Sequence, residues 1–217
     1  MMKRLMAVAL ACAAIVVLGV LALSGPGASS SGSGEVTLTR QADGSMILAD
    51  LKSEAPVLDV YEDFDCPVCK DMHAKVDATI RKMAAERKVK VVFHTVTIFR
   101  DEPMRSNSVR AAAASRCVPE ENWLAFRDEV YAMQPAPHGV ASGFTVEELT
   151  RAARKAGASV DECVTSQSYA KAHLTETAKI PLEGTPTVVL DGQILGNEAF
   201  DPAALERLIT GGVGVRV

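Results

Sequence analysis

The chain is short of positive charge. Its 217 residues carry 23 Lys and Arg against 27 Asp and Glu. Two of the basic residues, Lys3 and Arg4, sit in an N-terminal stretch, residues 1–34, that holds no acid. The rest of the chain therefore has 21 basic against 27 acidic residues, a net charge of −6. With that balance and no basic stripe, the electrostatic footprint of a nucleic-acid binder is missing, and the acidic excess reads as a solvated surface. Metal-ligating side chains are scarce too, with five Cys and four His. His73 follows Cys66 and Cys69 in a Cys-x2-Cys-x3-His spacing, but a closed zinc site wants four ligands. No second pair stands at suitable spacing among His94, His138, Cys117 and Cys163, so no metal is expected, and His73 reads as an exposed residue of a helix. There is no internal repeat, and the glycines of the tail "TGGVGV" match no phosphate-binding loop.

What the chain does have, at its start, is a long apolar run. Residues 5–24, "LMAVALACAAIVVLGVLALS", contain no charge. At about 1.5 Å per residue such a run reaches roughly 30 Å, enough to cross a bilayer core. The preceding Lys-Arg pair keeps the N-terminus on the cytoplasmic side. Two readings stay open: an uncleaved single-pass anchor, or a signal peptide cleaved near Ala22-Leu23-Ser24 or Ala28-Ser29-Ser30. Both export the remainder. The next stretch, "GPGASSSGSG" at 25–34, is a flexible tether with nothing to bury. The chain thus divides into a signal-anchor or signal peptide (1–24), a linker (25–34) and an exported domain (35–217). Four cysteines lie in that domain, and an even number in an oxidising compartment favours disulfides over zinc.

The domain opens with two short strands, "EVTLTR" and "GSMILAD". "APVLDVYEDF", residues 55–64, reads as a strand that runs into Cys66. From Pro67 onward Val68, Met72, Val76, Ile80 and Met83 recur at helical spacing, and Pro67 suits a first turn, where a missing N–H costs nothing. "KVVFHTVTIF", residues 90–99, is a second strand, completing a βαβ unit. Residues 101 to about 178 read as helical. Ser106 or Asn107 caps one helix, and Pro119 opens another with Trp123, Phe126, Val130 and Met133 on one face. Thr145 and Glu148 form a capping box on a helix that Gly157 closes, and Ser159 with Glu162 repeats the signal. "QPAPHG" is a loop. "TVVLDG" and "QIL" form a hairpin about Asp191-Gly192, and Asp201 caps a last helix.

The pair Cys66-Pro67-Val68-Cys69 stands at the junction of strand and helix. Cys66 occupies the helix terminus, where free N–H groups and the macrodipole favour a thiolate; Cys69 lies a turn deeper and more buried. The first sulfur is placed to attack and the second to resolve a mixed disulfide, the asymmetry that thiol–disulfide exchange requires. A metal clamp and a purely structural short-range disulfide are the alternatives. Far along the chain, "EGTPTVVLDG" (183–192) sets Thr185-Pro186 at the head of a strand, an awkward place for proline unless the peptide bond is cis. An ordinary trans strand opener is the other reading.

"YEDFDCPVC", a long helical insertion and "GTPTVVLDG", in that order, resemble the DsbA-like thiol–disulfide oxidoreductases of the thioredoxin superfamily over roughly residues 54–210. The resemblance implies an α/β thioredoxin-like fold with an inserted α-helical subdomain at about 101–178, preceded by the transmembrane anchor or signal segment. It implies that Pro186 is cis and faces Cys66, with Thr185 offering backbone groups to an extended substrate. It implies no cofactor.

The chain departs from the family in two ways. The dipeptide Pro67-Val68 lacks the histidine that adds positive influence in strongly oxidising relatives. Glu62, Asp63 and Asp65 crowd the site against Lys70 and His73, so Cys66 is expected to ionise below a free thiol, though less far than in the strongest oxidants. The buried carboxylate common six residues before the first cysteine is replaced by Val60; Glu62 is either the substitute proton acceptor or a plain surface carboxylate. Cys117 and Cys163, each near a helix boundary in the insertion, read as a structural disulfide, with two buried free thiols as the alternative.

The leading functional expectation is an oxidase that gives its Cys66–Cys69 disulfide to unfolded or reduced exported proteins. The resemblance supplies its reoxidant, a quinone-linked membrane protein of the DsbB or vitamin K epoxide reductase type. The domain is expected to act as a monomer outside the cytoplasm, tethered to the membrane or released by cleavage. A reductase remains open because the same site runs either way. An isomerase is less well supported, since residues 35–53 are too few for a dimerisation domain. A non-catalytic anchored binding module is the reading from another class.

Overall fold

The structure, a computed structural model, describes residues 35–211. The apolar run at 5–24, the linker at 25–34 and the end of the tail lie outside the described residues. Among the described residues no helix is long and apolar enough to cross a membrane.

Six strands form one sheet: β1 (Thr37–Arg40), β2 (Met46–Ala49), β3 (Val57–Glu62), β4 (Lys90–Thr95), β5 (Thr187–Leu190) and β6 (Gln193–Ile194). Their order is β1-β2-β4-β3-β5-β6. Among the described residues only β3 and β4 run parallel, joined by the crossover helix α1 (Pro67–Ala85); every other pairing there is antiparallel. In β3, Leu58, Val60 and Glu62 are buried at every second position, as the pleat requires. The β5–β6 hairpin turns at Asp191 and Gly192, both with positive φ (47° and 82°), the backbone that a two-residue turn of this hand demands.

Helix α1 buries Cys69, Met72, Val76, Ile80 and Met83. The apolar stripe thus starts at Cys69, not at Val68, which is 47% exposed. Five helices lie between β4 and β5: α2 (Met104–Cys117), α3 (Glu120–Ala132), α4 (Val146–Lys155), α5 (Asp161–Thr165) and α6 (Ala170–Thr177). Trp123, Phe126 and Val130 bury one face of α3, with Phe93 of β4 against Trp123 at 5.4 Å between ring centroids. Thr145 and Glu148 cap α4 reciprocally, and Gly157, at φ 91°, takes the left-handed position after its end. Helix α7 (Pro202–Gly211) closes the fold, its Ala204 N–H donating to the Asp201 carboxylate at 2.7 Å.

Three expectations are corrected. The second strand ends at Thr95, because Ile98 N–H donates to the Asp63 carboxylate at 3.0 Å and not to a neighbouring strand. Helix α2 starts at Met104; Ser106 and Asn107 lie inside it, and Glu102 accepts from Ser106 N–H instead. Ser159 caps nothing, since α5 begins after Val160 without a side-chain cap.

Candidate active site

Strand β3 delivers the chain to the end of the sheet, and the turn Asp63-Phe64-Asp65 hands it to α1. Cys66 is the N-cap of α1, with Pro67 at its first position, where no N–H is missed. The N–H of Cys66 donates to Asp63 O at 3.0 Å. Both active-site cysteines are free thiols, with Cys66 4% exposed and Cys69 fully buried. The sulfur placed to attack is thus a recessed one. Beside it lies the loop before β5, where the Thr185–Pro186 peptide is cis. Cys66 Sγ lies 3.3 Å from Thr185 O, to which its S–H donates.

The electrostatics separate the two sulfurs. A hydrogen bond from the Cys69 thiol, helped by the Thr185 side chain and the N–H groups of Cys69 and Val68, pulls the Cys66 thiol down to about 6 against the effect of burial. Thr185 Oγ1 is buried and has no other partner, so it is free to donate once Cys66 becomes a thiolate. Burial, the hydrogen bond it gives to Cys66 and the negative charge on that sulfur push the Cys69 thiol far up. At neutral pH the pair therefore holds one proton, on the inner sulfur.

Three acids flank the turn. Glu62 is fully buried and clamped by Arg127, whose Nε and Nη2 donate to its two oxygens at 2.7 and 2.6 Å. The surface-carboxylate alternative is thereby corrected. As a proton acceptor for Cys69, Glu62 is poorly placed, because both of its oxygens already accept from the guanidinium. Arg127 Nη1 continues to Asp77 and to His73 Nδ1 (2.8 Å). His73 also meets Asp128 (3.3 Å) and stacks on Tyr131. Its side chain is only 15% exposed, so His73 is part of a buried ionic cluster and not an exposed helix residue. Burial would raise Asp77, but His73, Arg127 and Arg81 hold its carboxyl well below the usual range. Ligand atoms of His73, Asp77 and Asp128 converge within 4.8 Å, yet the guanidiniums of Arg127 and Arg81 already meet these carboxylates. A metal cation there would face two fixed positive charges.

Asp63 accepts from Asp65 N–H (2.9 Å), Ile98 N–H (3.0 Å) and Ser108 Oγ (2.5 Å), yet burial pushes its carboxyl up to about 7. Burial likewise raises Asp65 to about 6. From the insertion, Gln134 Nε2 donates to Phe64 O and Cys66 O at 2.8 and 3.0 Å. Arg127, Gln134, Asn107 and Ser108 carry no signal in the sequence that marks them as site residues; Arg127 stands one position after Phe126 on a helix face that reads simply as apolar. Val68 and Pro67 sit at the mouth, both exposed. Far from this site, Cys117 and Cys163 are joined by a disulfide, with Cα atoms 5.9 Å apart, tying the end of α2 to α5.

A thioredoxin family model matches residues 52–210. Among solved structures the chain is similar to reduced DsbA of Mycobacterium tuberculosis, at 26% identity and a TM-score of 0.67, over 83% of this chain and 93% of that one. MdbA of Actinomyces oris, a thiol-disulfide oxidoreductase, matches at 25% identity and 0.65, over 83% and 94%. BdbD of Bacillus subtilis shares the fold at 18% identity and 0.65, over 82% and 97%. The comparison with curated proteins found no match. With a family model matched over most of the chain and these likenesses beside it, the chain belongs to the thioredoxin family and is a DsbA-like member of it.

Proposed function

We propose that this protein disulfide oxidoreductase works as an oxidase, donating the Cys66–Cys69 disulfide to exported proteins. The observation that carries the reading is the asymmetry of the two sulfurs. Cys66 is favoured as a thiolate at a helix N-terminus beside Thr185, while Cys69 is buried and holds its proton. A stabilised thiolate stabilises the reduced enzyme, and that makes the disulfide a better oxidant.

A client thiolate attacks Cys66 Sγ. The Cys66–Cys69 bond breaks, a client–Cys66 bond forms, and Cys69 leaves with the electron pair and takes up a proton. A second client thiolate then attacks the client sulfur and expels Cys66 as a thiolate. The client loses two electrons and the enzyme gains them. The Thr185-Pro186 loop lines the approach, and its backbone suits extended segments of varied sequence. The low Cys66 value favours this direction over the reductase reading.

The domain acts outside the cytoplasm, as a monomer, with residues 1–24 as anchor or signal peptide, 25–34 as tether and 35–217 as the catalytic domain carrying its insertion at about 101–178. A membrane tether would keep it near a quinone-linked reoxidase of the DsbB or vitamin K epoxide reductase type. Cys117–Cys163 serves stability.

The test is oxidative refolding of a reduced model protein in a glutathione buffer that includes the disulfide form, by oxidised enzyme and, in parallel, by Cys66→Ser and Cys69→Ser. The wild type is expected to generate client disulfides, Cys69→Ser to accumulate a mixed disulfide through Cys66, and Cys66→Ser to do neither. A Cys66→Ser variant that still oxidises the client refutes the assignment. A wild type that only reduces client disulfides under the same glutathione buffer reverses the direction.

A further inference from the structure

The dipeptide between the cysteines offers no positive charge, yet a histidine stands close by from another part of the chain. The loop after α3, residues 134–143, is fastened at both ends, at one to the active-site turn and at the other to α2. At one end Gln134 donates to Phe64 O and Cys66 O. At the other, Asn107 of α2 accepts from Gly143 N–H at 3.0 Å and donates to Ala141 O at 3.2 Å. Arg110 holds the same end through Gly143 O and Phe144 O. Between these fastenings His138 turns inward against Phe99 and brings Nε2 to 3.6 Å from Asp65 Oδ2. That nitrogen is shielded from solvent and has no hydrogen-bond partner. Asp65 itself is buried, adjoins Cys66 in the chain, and among the described residues its carboxylate otherwise accepts only from the Asn107 amide, at 3.4 and 3.5 Å.

We propose that His138 is a positioning residue for disulfide exchange, its imidazole reaching in from the helical insertion to offset the Asp65 carboxylate and so favour the Cys66 thiolate. The inference rests on the reading of Cys66 as the attacking sulfur. A carboxylate next to a thiolate disfavours it, and burial strengthens that repulsion because little water screens it. Reduction of the disulfide adds a negative charge at Cys66. An imidazole N–H turned toward Asp65 can answer it by donating to the carboxylate oxygen that it faces. The other charged groups around the pair are Asp63, whose carboxylate accepts from Asp65 N–H, and Arg110, which is directed to Asn107 Oδ1 and two loop carbonyls. Neither is directed at the Asp65 carboxylate, which leaves His138 as the basic side chain that faces it.

The experiment is the equilibrium of the Cys66–Cys69 pair with glutathione, paired with thiolate absorbance against pH. It is run on the full chain, His138→Gln, His138→Lys, Asp65→Asn and the double variant Asp65→Asn/His138→Gln, with thermal unfolding of the oxidised forms to confirm folding. His138→Gln is expected to make the disulfide a weaker oxidant by about three- to tenfold in the equilibrium constant and to raise the pH at which the thiolate forms. His138→Lys retains the wild-type behaviour, and in the Asp65→Asn background the His138→Gln effect shrinks to less than half. A folded His138→Gln protein with an unchanged equilibrium constant overturns the proposal, as does an effect of equal size with and without Asp65. A wild type with no thiol ionising below the free-thiol range removes the Cys66 reading itself, and the proposal falls with it; a normal wild type with an inert His138→Gln sinks the proposal alone.

Discussion

Arg127 grips both oxygens of Glu62 across 65 residues of sequence, at 2.7 and 2.6 Å, with neither side chain more than 1% exposed. This buried fork joins helix α3 of the insertion to strand β3 of the core immediately before the active-site turn. Its guanidinium also stacks over Phe93 at 4.6 Å and carries the charge on to Asp77. A domain inserted between two strands could be a loosely attached lobe; here a charge pair without water ties it to the strand that carries Cys66.

Removing one partner leaves the other charged, dry and alone. Arg127→Met is therefore expected to cost about 3–5 kcal/mol of stability, more than Glu62→Gln, which keeps an acceptor for the guanidinium. Urea unfolding of both variants checks this, and a loss under 1 kcal/mol for Arg127→Met contradicts it.

Gln134 supplies one amide to two carbonyls of the turn, Phe64 O and Cys66 O. Gln134→Ala strips both of that donor, an expected loss of about 1–2 kcal/mol. Because one of the two carbonyls belongs to Cys66, the rate of mixed-disulfide formation with a small peptide thiol is expected to fall as well. Stopped-flow kinetics at a temperature where the variant is fully folded separates the two effects; an unchanged rate removes Gln134 from the site.

The Cys117–Cys163 bridge closes a loop with a sequence separation of 46. In the chain-entropy description a loop of that size restricts the unfolded state by roughly 4 kcal/mol. Cys117→Ala/Cys163→Ala is expected to lower the midpoint of unfolding substantially, while leaving the glutathione equilibrium of Cys66–Cys69 unchanged. Peptide mapping without reductant reads the bridge directly, and a Cys117 peptide that migrates unlinked refutes it.

The pH dependence of stability has opposite signs at neighbouring groups. Asp63 and Asp65, raised to about 7 and about 6 by burial, favour folding while protonated, and that contribution fades as pH rises through those values. Cys66 is lowered, so its contribution is present above the free-thiol value and fades as pH falls through about 6. The oxidised form has no ionisable Cys66. The reduced form is therefore expected to gain stability relative to the oxidised form as pH rises from about 6 toward the free-thiol value near 9. Denaturant melts of both forms at pH 5 and pH 8 measure the difference, and a reduced form that gains on acidification contradicts the lowered thiol.

Much of the fold could be read from local pattern. The β3–α1–β4 unit, the α4 capping box and the Asp191-Gly192 hairpin depend on residues a few positions apart, whose periodicity or turn preference acts within one element. Two of the three misread boundaries lie at the site. Ser106 and Asn107 look like caps because hydroxyls and amides usually serve that way. In the folded chain both lie inside α2, where Asn107 meets Asp65 and its neighbour Ser108 meets Asp63. Ile98 leaves the strand ladder for the same reason, its N–H going to Asp63.

The order of residues alone was enough to set the two cysteines at a helix start, to put a proline at the head of a distant strand, and to surround both with an α/β frame, since each of these is a short-range matter of spacing and backbone preference. It could not say that Glu62 would be dry, that His73 would be held in an ionic cluster, or that Arg127, Gln134 and His138 would reach Glu62 and the turn from 65 to 73 residues away. Those facts depend on which faces meet when the insertion closes on the sheet. Burial and long-range charge are properties of that closure, and no local window contains them.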